Sequence, residues 1–451
     1  MASTTATVSA PVGTLGLGAQ LGYGVGQIAG QVFRDVPSLL LLFFMTTVLG
    51  IAPAIAGTAI FVPKLIWGVG SDMLVGVLSD RWQRRIHRRY WLLGGAVGAP
   101  VAMLLLFHVP AGSTTLRVAY VAGVFSVYMM VFASFSVPYL AIAGELTSSP
   151  RQRNVIMAWR LVFTAIGVLV SGALAPAIIQ HGGGGQPAYE TMSLVLAILC
   201  PLALLAAFFG AGHAGRQSAY LADTGARVRL SVREAVAILA APRFSVLLGA
   251  NLLQLMGAGM GYGSMLYFLS YNMGRTDAFA LIGGLVLTAC AGIVVSQPLW
   301  LAVSARIGKR RAYIVASLLY ALGYLVWGFA AQWGLVAAYA LAFATAVGNA
   351  GWAMLGFSMV SDIASADDRH AGLYSAAWIA VDKIAFALGG TLLVGLTLSV
   401  FGFDSARAVA GLPQAPGALI GVMVTFAFAP AVFNVLGAAI LARWGRDPVA
   451  A

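Results

Sequence analysis

The sequence predicts an all-α membrane protein of 12 transmembrane helices in two six-helix bundles, with the N- and C-termini in the cytoplasm. Three observations carry that prediction. Hydrophobic residues fill 60% of the 451 positions and charged residues only 9%, against about 25% charged in a soluble domain. Apolar runs long enough to cross a bilayer, about 20 residues each, recur along the whole chain. Basic residues gather in alternate connections, which sets the orientation.

Residues 1–18 are uncharged and rich in Ser, Thr and Ala. No basic stretch precedes an apolar core there, so the segment reads as a disordered tail and not as a cleavable leader. The first bundle, 19–212, is expected to hold helices over 19–49, 53–78, 90–109, 118–145, 154–180 and 190–212. A polar connector over 213–241, with Arg216, Arg227, Arg229 and Arg233, reads as a cytoplasmic linker. The second bundle, 242–445, is expected to hold helices over 245–272, 277–303, 312–331, 334–362, 371–401 and 416–442. An even number of crossings puts both termini on one side. Of the 26 Lys and Arg residues, four (Arg34, Lys64, Arg160, Lys383) fall within spans and three (Arg117, Arg275, Arg407) in one set of loops, leaving 19 on the side of the termini. The positive-inside rule makes that side cytoplasmic and the protein a multi-pass protein of the cell inner (plasma) membrane. Topology and anionic headgroups account for the net charge of +12, so no nucleic-acid partner is expected. The expected partners are the lipid bilayer and a small-molecule substrate, with the chain itself a monomer.

Several residue classes carry no chemistry. Cys200 and Cys290 sit in separate apolar segments and read as small hydrophobes in helix interfaces. The run His181-Gly182-Gly183-Gly184-Gly185 lacks the Lys-Ser/Thr and strand context of a phosphate loop. With no metal cluster, nucleophile–base pair or nucleotide motif, neither an enzyme nor a bound cofactor or metal is expected.

The chain repeats itself after six helices. Arg81-Trp82-Gln83-Arg84-Arg85 follows the second helix, and Arg306-Ile307-Gly308-Lys309-Arg310-Arg311 follows the eighth. Gly144-Glu145-Leu146 through Arg160 to Gly167 is echoed by Ser361-Asp362-Ile363 through Lys383 to Gly389. Parallel six-helix repeats around a cavity near the membrane midplane are the architecture of the major facilitator fold.

Ionisable residues inside the spans are the candidate site. A carboxylate within an apolar helix costs roughly 2.5–3.5 kcal/mol on insertion scales, so Asp72, closing the run Ile66-Trp67-Gly68-Val69-Gly70-Ser71-Asp72, marks a working group. Transport is the reading that uses it. Lys64, Gly68 and Asp72 recur every fourth residue and share a helix face. Lys64 lies about 12 Å above Asp72 at 1.5 Å per residue, within range to bias its titration through water; a lysine snorkelling from a tilted helix is the alternative. Arg34 and Asp35, ahead of Pro37, point about 100° apart and are not expected to pair with each other. They line the cavity or form interhelical ion pairs. Lys383 is a cavity candidate, with Asp382 its packing partner or a neighbour's counter-ion. On the cytoplasmic side, Asp80, Arg81, Glu145, Arg151 and Arg153 read as an ionic gate, with Asp362, Asp367, Asp368 and Arg369 as its counterpart in the second half. Trp159, Trp352, Trp378, Tyr267 and Tyr374 would stack on a sugar ring or serve as packing and interface-belt residues.

These motifs in their order resemble the glycoside–pentoside–hexuronide:cation symporters, the melibiose-permease-like branch of the major facilitator superfamily, which also includes sodium-dependent lysolipid carriers. The resemblance rests on Gly22-Tyr23-Gly24-Val25-Gly26, Val48-Leu49-Gly50, the Trp67 to Asp72 run, Val137-Pro138-Tyr139 with Gly144-Glu145-Leu146, Trp159-Arg160, and Gly372-Leu373-Tyr374 followed by Lys383. It implies a cation site on the second and fourth helices and a sugar site on the first, fourth and fifth. The family's second helix often reads Trp-Asp-Ala-x-Asn-Asp, with two carboxylates sharing sodium. Here Asp72 stands at the second carboxylate, Gly68 at the first and Ser71 where asparagine is common. A proton needs only one titratable acid, so proton coupling through Asp72 is favoured over sodium, with uncoupled transport left open. At the sugar-contact positions the family's acids and tryptophan are replaced by Gln31, Ser136 and Leu140, while Arg160 keeps the family residue. Such a site would bind hydroxyls, and a carboxylate or phosphate at least as well.

The expected function is proton-coupled symport of a small organic solute, a carbohydrate or glycoside by family default. A transporter of an anionic or amphipathic, lysolipid-like solute is the alternative, as is a non-transporting sensor or assembly factor with a facilitator fold.

Overall fold

The computed structural model describes residues 15–82, 85–147, 150–212, 239–367 and 370–445. Most of the expected linker, residues 213–238, and most of the expected N-terminal tail, residues 1–14, lie outside the described residues. The spanning helices are α1 (Leu17–Thr47), α2 (Pro53–Trp82), α3 (Arg89–Phe107), α4 (Thr114–Ala143), α5 (Gln152–His181) and α6 (Gln186–Gly210) in the first half. The second half holds α7 (Pro242–Asn272), α8 (Ala278–Ile307), α9 (Lys309–Phe329), α10 (Leu335–Ala366), α11 (Leu373–Val400) and α12 (Pro416–Trp444). A single extra turn beyond the expected helices, Ser405–Val409, lies between α11 and α12; Asp404 caps it by accepting from the Ala406 and Arg407 amides.

Helices form here because a bilayer leaves the backbone no other partner than itself. Exceptions to the ladder are repaired locally. Pro37 has no N–H to give the Phe33 carbonyl, and the Tyr128 hydroxyl donates to that oxygen at 3.1 Å. Pro37 also opens a π-helical segment, Pro37–Leu41. Comparable segments interrupt α5 at Val170–Leu174, α7 at Phe268–Asn272, α11 at Leu388–Leu393 and α12 at Val424–Phe428. At the α8–α9 turn, Gly308 takes φ +82°, which only glycine adopts freely.

The sequence echo has a packing counterpart. In the first half α1 packs on α5 and α6, α3 on α4 and α6, and α2 on α4. Six helices later α7 packs on α11 and α12, α9 on α10 and α12, and α8 on α10. The same scheme thus occurs twice, as a parallel repeat requires.

The two bundles meet at the end away from the termini. There Thr46 Oγ1 lies 2.6 Å from the Tyr267 hydroxyl, the Ala54 amide donates to Ser399 Oγ at 2.9 Å, and Gln180 Nε2 donates to the Thr276 carbonyl at 3.2 Å. Gly57 lets α2 approach α11 so closely that a Cβ would come within 2.5 Å of the Thr391 carbonyl oxygen. Among the described residues, every hydrogen bond between the bundles lies at this end, except the ion pair of Lys383 with Asp72. The halves are zipped at one end and parted toward the termini.

Candidate functional site

A cavity of about 500 Å³ lies between the bundles. An apolar patch of its first-bundle wall is made by Phe33, Phe61, Phe125, Met129 and Phe132. The charged residues are concentrated on α1, α2 and α11: Arg34, Asp35, Lys64, Asp72, Asp382 and Lys383 all reach its surface. Three cations face three anions, so the lining charges balance.

The central contact is between halves. Lys383 Nζ on α11 donates to Asp72 Oδ2 on α2. Their side chains are 40% and 21% exposed, so the pair touches the cavity and is not sealed from it. The sequence places Lys64 about 12 Å along the same helix from Asp72, and it is the facing helix that supplies the direct partner. Lys64 instead donates to Ser38 Oγ on α1 at 3.1 Å, because a residue two turns along the same helix cannot fold back on Asp72 while a lysine from the facing helix can reach it. Asp382 sits in the combined field of Arg34, Lys383 and Lys64. Ser71 turns away, its hydroxyl donating to the Trp67 carbonyl of its own helix.

The expectation that Arg34 and Asp35 do not pair is also corrected. Arg34 Nε donates to Asp35 Oδ1 at 3.0 Å, and Gln31 Nε2 donates to Asp35 Oδ2 at 2.6 Å. The long guanidinium stem spans the angle that separates the two Cβ directions. Asp35 is thereby buried with both oxygens occupied, whereas the Arg34 side chain stays 61% exposed.

The sugar positions implied by the resemblance do not gather at this surface. Gln31 is buried beneath it, holding Asp35. Arg160 donates to Gln27 Oε1 at 2.8 Å and stands 5.8 Å over the Tyr139 ring, inside the first bundle. Ser136 is half-buried on α4 and is not among the cavity-lining residues. Trp378 does line the cavity, edge-on to Phe357 with ring centroids 5.9 Å apart.

The expected gate is rearranged as well. Asp80 and Glu145 both accept from Arg88, a residue whose charge topology alone would explain. Asp362 pairs with Lys309 at 2.6 Å, and Asp367 with His370 at 2.9 Å. Each of these contacts stays within one bundle, so none latches the halves together in this conformation. Arg81 and Arg153 are exposed and make no ion pair among the described residues. The Arg151 side chain, Asp368 and Arg369 lie outside the described residues.

Of the neutral wall of the second bundle, sequence reasoning singled out Trp352 and missed its polar neighbours. Asn251 on α7 and Thr345, Asn349 and Trp352 on α10 line the cavity. The spacing of the last three, i, i+4 and i+7, puts them on one helix face, which a face-by-face reading of the polar residues in α10 would have found. Asn251 Nδ2, Thr345 Oγ1 and Trp352 Nε1 are buried without a hydrogen-bond partner among the described residues, each a cost of about 1–3 kcal/mol.

Twelve helices in two repeated bundles, parted on one side around a charged central cavity, define a membrane transporter of the major facilitator type. The family model described as "MFS/sugar transport protein" matches residues 22–445, and the chain belongs to that family. It is 23% identical over 433 residues to the inner membrane symporter YicJ of Escherichia coli (strain K12), covering 94% of this chain and 91% of the relative. It is 24% identical over 451 residues to the isoprimeverose transporter of Lactiplantibacillus pentosus, covering 95% and 88%. Among solved structures, a D-xylose–proton symporter shares the fold with a TM-score of 0.67 at 14% identity, covering 96% of this chain and 98% of the other. The protein is therefore a multi-pass plasma-membrane transporter and not an enzyme.

Proposed function

We propose that the protein is a proton-coupled symporter of a small, oxygen-rich organic solute of the glycoside class, working by alternating access as a monomer. The observation that carries the proposal is the Lys383 to Asp72 ion pair, which joins α11 to α2 across the cavity. A proton on Asp72 would discharge the carboxylate and release Lys383, removing the tie between the halves on the open side. Deprotonation would restore it. One titratable acid held by one lysine suits a proton, whereas sodium needs several oxygen ligands around it; Gly68 leaves the place of a second carboxylate without a side chain.

The positive-inside rule assigns the side of the termini to the cytoplasm, which makes the described conformation inward-facing. The balanced charge of the cavity favours a neutral solute over an anion. Its phenylalanine wall favours, as a second reading, an amphipathic solute with an acyl or aryl portion. Purified protein in liposomes tests both. Uptake of methyl β-D-xyloside, methyl β-D-glucuronide and lysophosphatidylcholine is measured under separate pH and sodium gradients. Glycoside accumulation that follows the pH gradient and is lost in Asp72→Asn is expected. Accumulation driven by sodium alone would overturn proton coupling.

A further inference from the structure

We infer that Asp382 is a second acid of the coupling site: its carboxylate competes with Asp72 for the Lys383 ammonium and so sets how readily Asp72 takes a proton. This rests on the coupling role proposed above for Asp72 and adds to it a residue of the facing helix. Asp382 is a positioning residue, since it acts on Asp72 through Lys383.

The charges that line the cavity are unequally matched. Lys383 is paired with Asp72, and Arg34 with Asp35. Lys64 donates to the Ser38 hydroxyl at 3.1 Å. Of the three acids on the cavity surface, Asp382 alone makes neither an ion pair nor a hydrogen bond among the described residues. A carboxylate at membrane depth keeps its charge only where cations offset the loss of water. Here Arg34 of α1, Lys383 of α11 and Lys64 of α2 all act on it without touching it. The other titratable groups on the cavity surface are Asp35 of α1, Tyr262 of α7, Cys290 of α8, and Tyr320 and Tyr324 of α9, and α10 contributes none. Phenols and thiols carry no charge at neutral pH, so the unmatched anion of the cavity is Asp382.

Lys383 therefore has two carboxylates to choose between, Asp72 on α2 and Asp382 one position before it on α11. Adjacent helical positions point about 100° apart, yet Arg34 and Asp35 meet in this same cavity because a long cationic stem spans that angle. With Asp72 ionised, Lys383 lies on it and ties α11 to α2. A proton taken up from cavity water by the Asp72 carboxylate ends that attraction. Asp382 then holds the freed ammonium on its own helix, so the released charge is not left uncompensated and the tie between the bundles breaks at lower cost. The negative charge of Asp382 also disfavours the ionised form of Asp72 directly. Both effects have one sign: Asp382 raises the affinity of Asp72 for a proton. One unit charge acting over several ångströms at the polarity of such a cavity moves a neighbour's titration by about one pH unit.

Infrared spectroscopy of the purified full chain in liposomes reads the proton directly. The carbonyl stretch of protonated carboxyl groups is followed against pH, and the band lost in Asp72→Asn is that of Asp72. Asp382→Asn and Asp382→Ser are expected to move its midpoint down by about one pH unit, a tenfold loss of proton affinity. Asp382→Glu, which keeps the charge, is expected to restore most of the shift, as a purely structural role would not. Uptake of methyl β-D-xyloside driven by a pH gradient, measured beside it, should reach its optimum at a correspondingly lower pH in the two neutral variants. An unchanged midpoint in both would overturn the role of Asp382, while uptake that still follows the pH gradient would leave the symport reading intact. A titrating band that survives Asp72→Asn and disappears in Asp382→Asn would also overturn it, because Asp382 would then take the proton itself. A midpoint that moves as expected, without uptake driven by the gradient, would uphold the role of Asp382 and sink the symport reading.

Discussion

Asp72 and Lys383 illustrate what single residues can and cannot announce. An acid in an apolar run is visible as a cost that function must justify. Its partner is not, because Lys383 lies 311 positions away on a helix of the other bundle, and only the fold brings the two together. Removing one member of such a pair leaves the other unmatched. Lys383→Ala is expected to lower stability by about 1–2 kcal/mol, less than the ~3–5 kcal/mol of a fully buried pair because both side chains keep partial solvent access. The double variant Lys383→Ala/Asp72→Asn recovers most of that loss; thermal unfolding of the four proteins in a double-mutant cycle checks it, and additive losses would show that the pair contributes nothing. Arg88 teaches the complementary lesson. Topology alone would account for its charge, yet it bridges Asp80 on α2 to Glu145 at the end of α4. Arg88→Gln should cost about 1–3 kcal/mol, and Arg153→Gln, exposed on α5, close to none.

At the scale of elements, the helices are legible in the sequence and their irregularities are not. Spanning length and hydropathy locate 12 crossings because a bilayer imposes a narrow range of lengths; observed and expected limits differ by a few residues at the ends, where fraying and capping decide the boundary. The π-helical segments of α7 and α11 have no proline in or next to them to announce them, whereas those of α5 and α12 are followed within a turn by Pro176 and Pro430. The contact of α2 with α11 is similar: Gly57 is one glycine among 54 until the fold sets it against Thr391. Gly57→Leu should hold the two helices apart at the closed end and shift the protein toward the conformation open on that side. A cysteine introduced for Ser399, beside the Ala54 amide, reports the shift. Labelling by a membrane-impermeant maleimide should rise several-fold in the Gly57→Leu background, and labelling that stays constant would show that the contact does not govern closure.

For the whole molecule, the two echoes in the sequence reappear as one packing scheme used twice, and this agreement is why the fold is legible in the residue order alone. The site divides differently. Of the residues costly in a membrane because they are ionised, Arg34, Asp35, Lys64, Asp72 and Lys383 stand out in the sequence and reach the cavity, while Arg160 stands out and does not. Neutral polar residues, cheap enough to pass unnoticed in an apolar helix, do not stand out. Gln31 and Arg160, placed in a sugar site by resemblance, instead hold Asp35 and Gln27 within the first bundle. Among the described residues, the ion pairs on the open side lie within each bundle, so the inter-bundle tie on which the proposed coupling depends falls to Asp72 and Lys383. The most direct test of that claim is glycoside uptake into proteoliposomes under an imposed pH gradient, compared between wild type and Asp72→Asn at matched membrane potential. The account predicts accumulation above equilibrium in the wild type and, in the variant, none. Accumulation that persists in Asp72→Asn with an unchanged dependence on the pH gradient would contradict it.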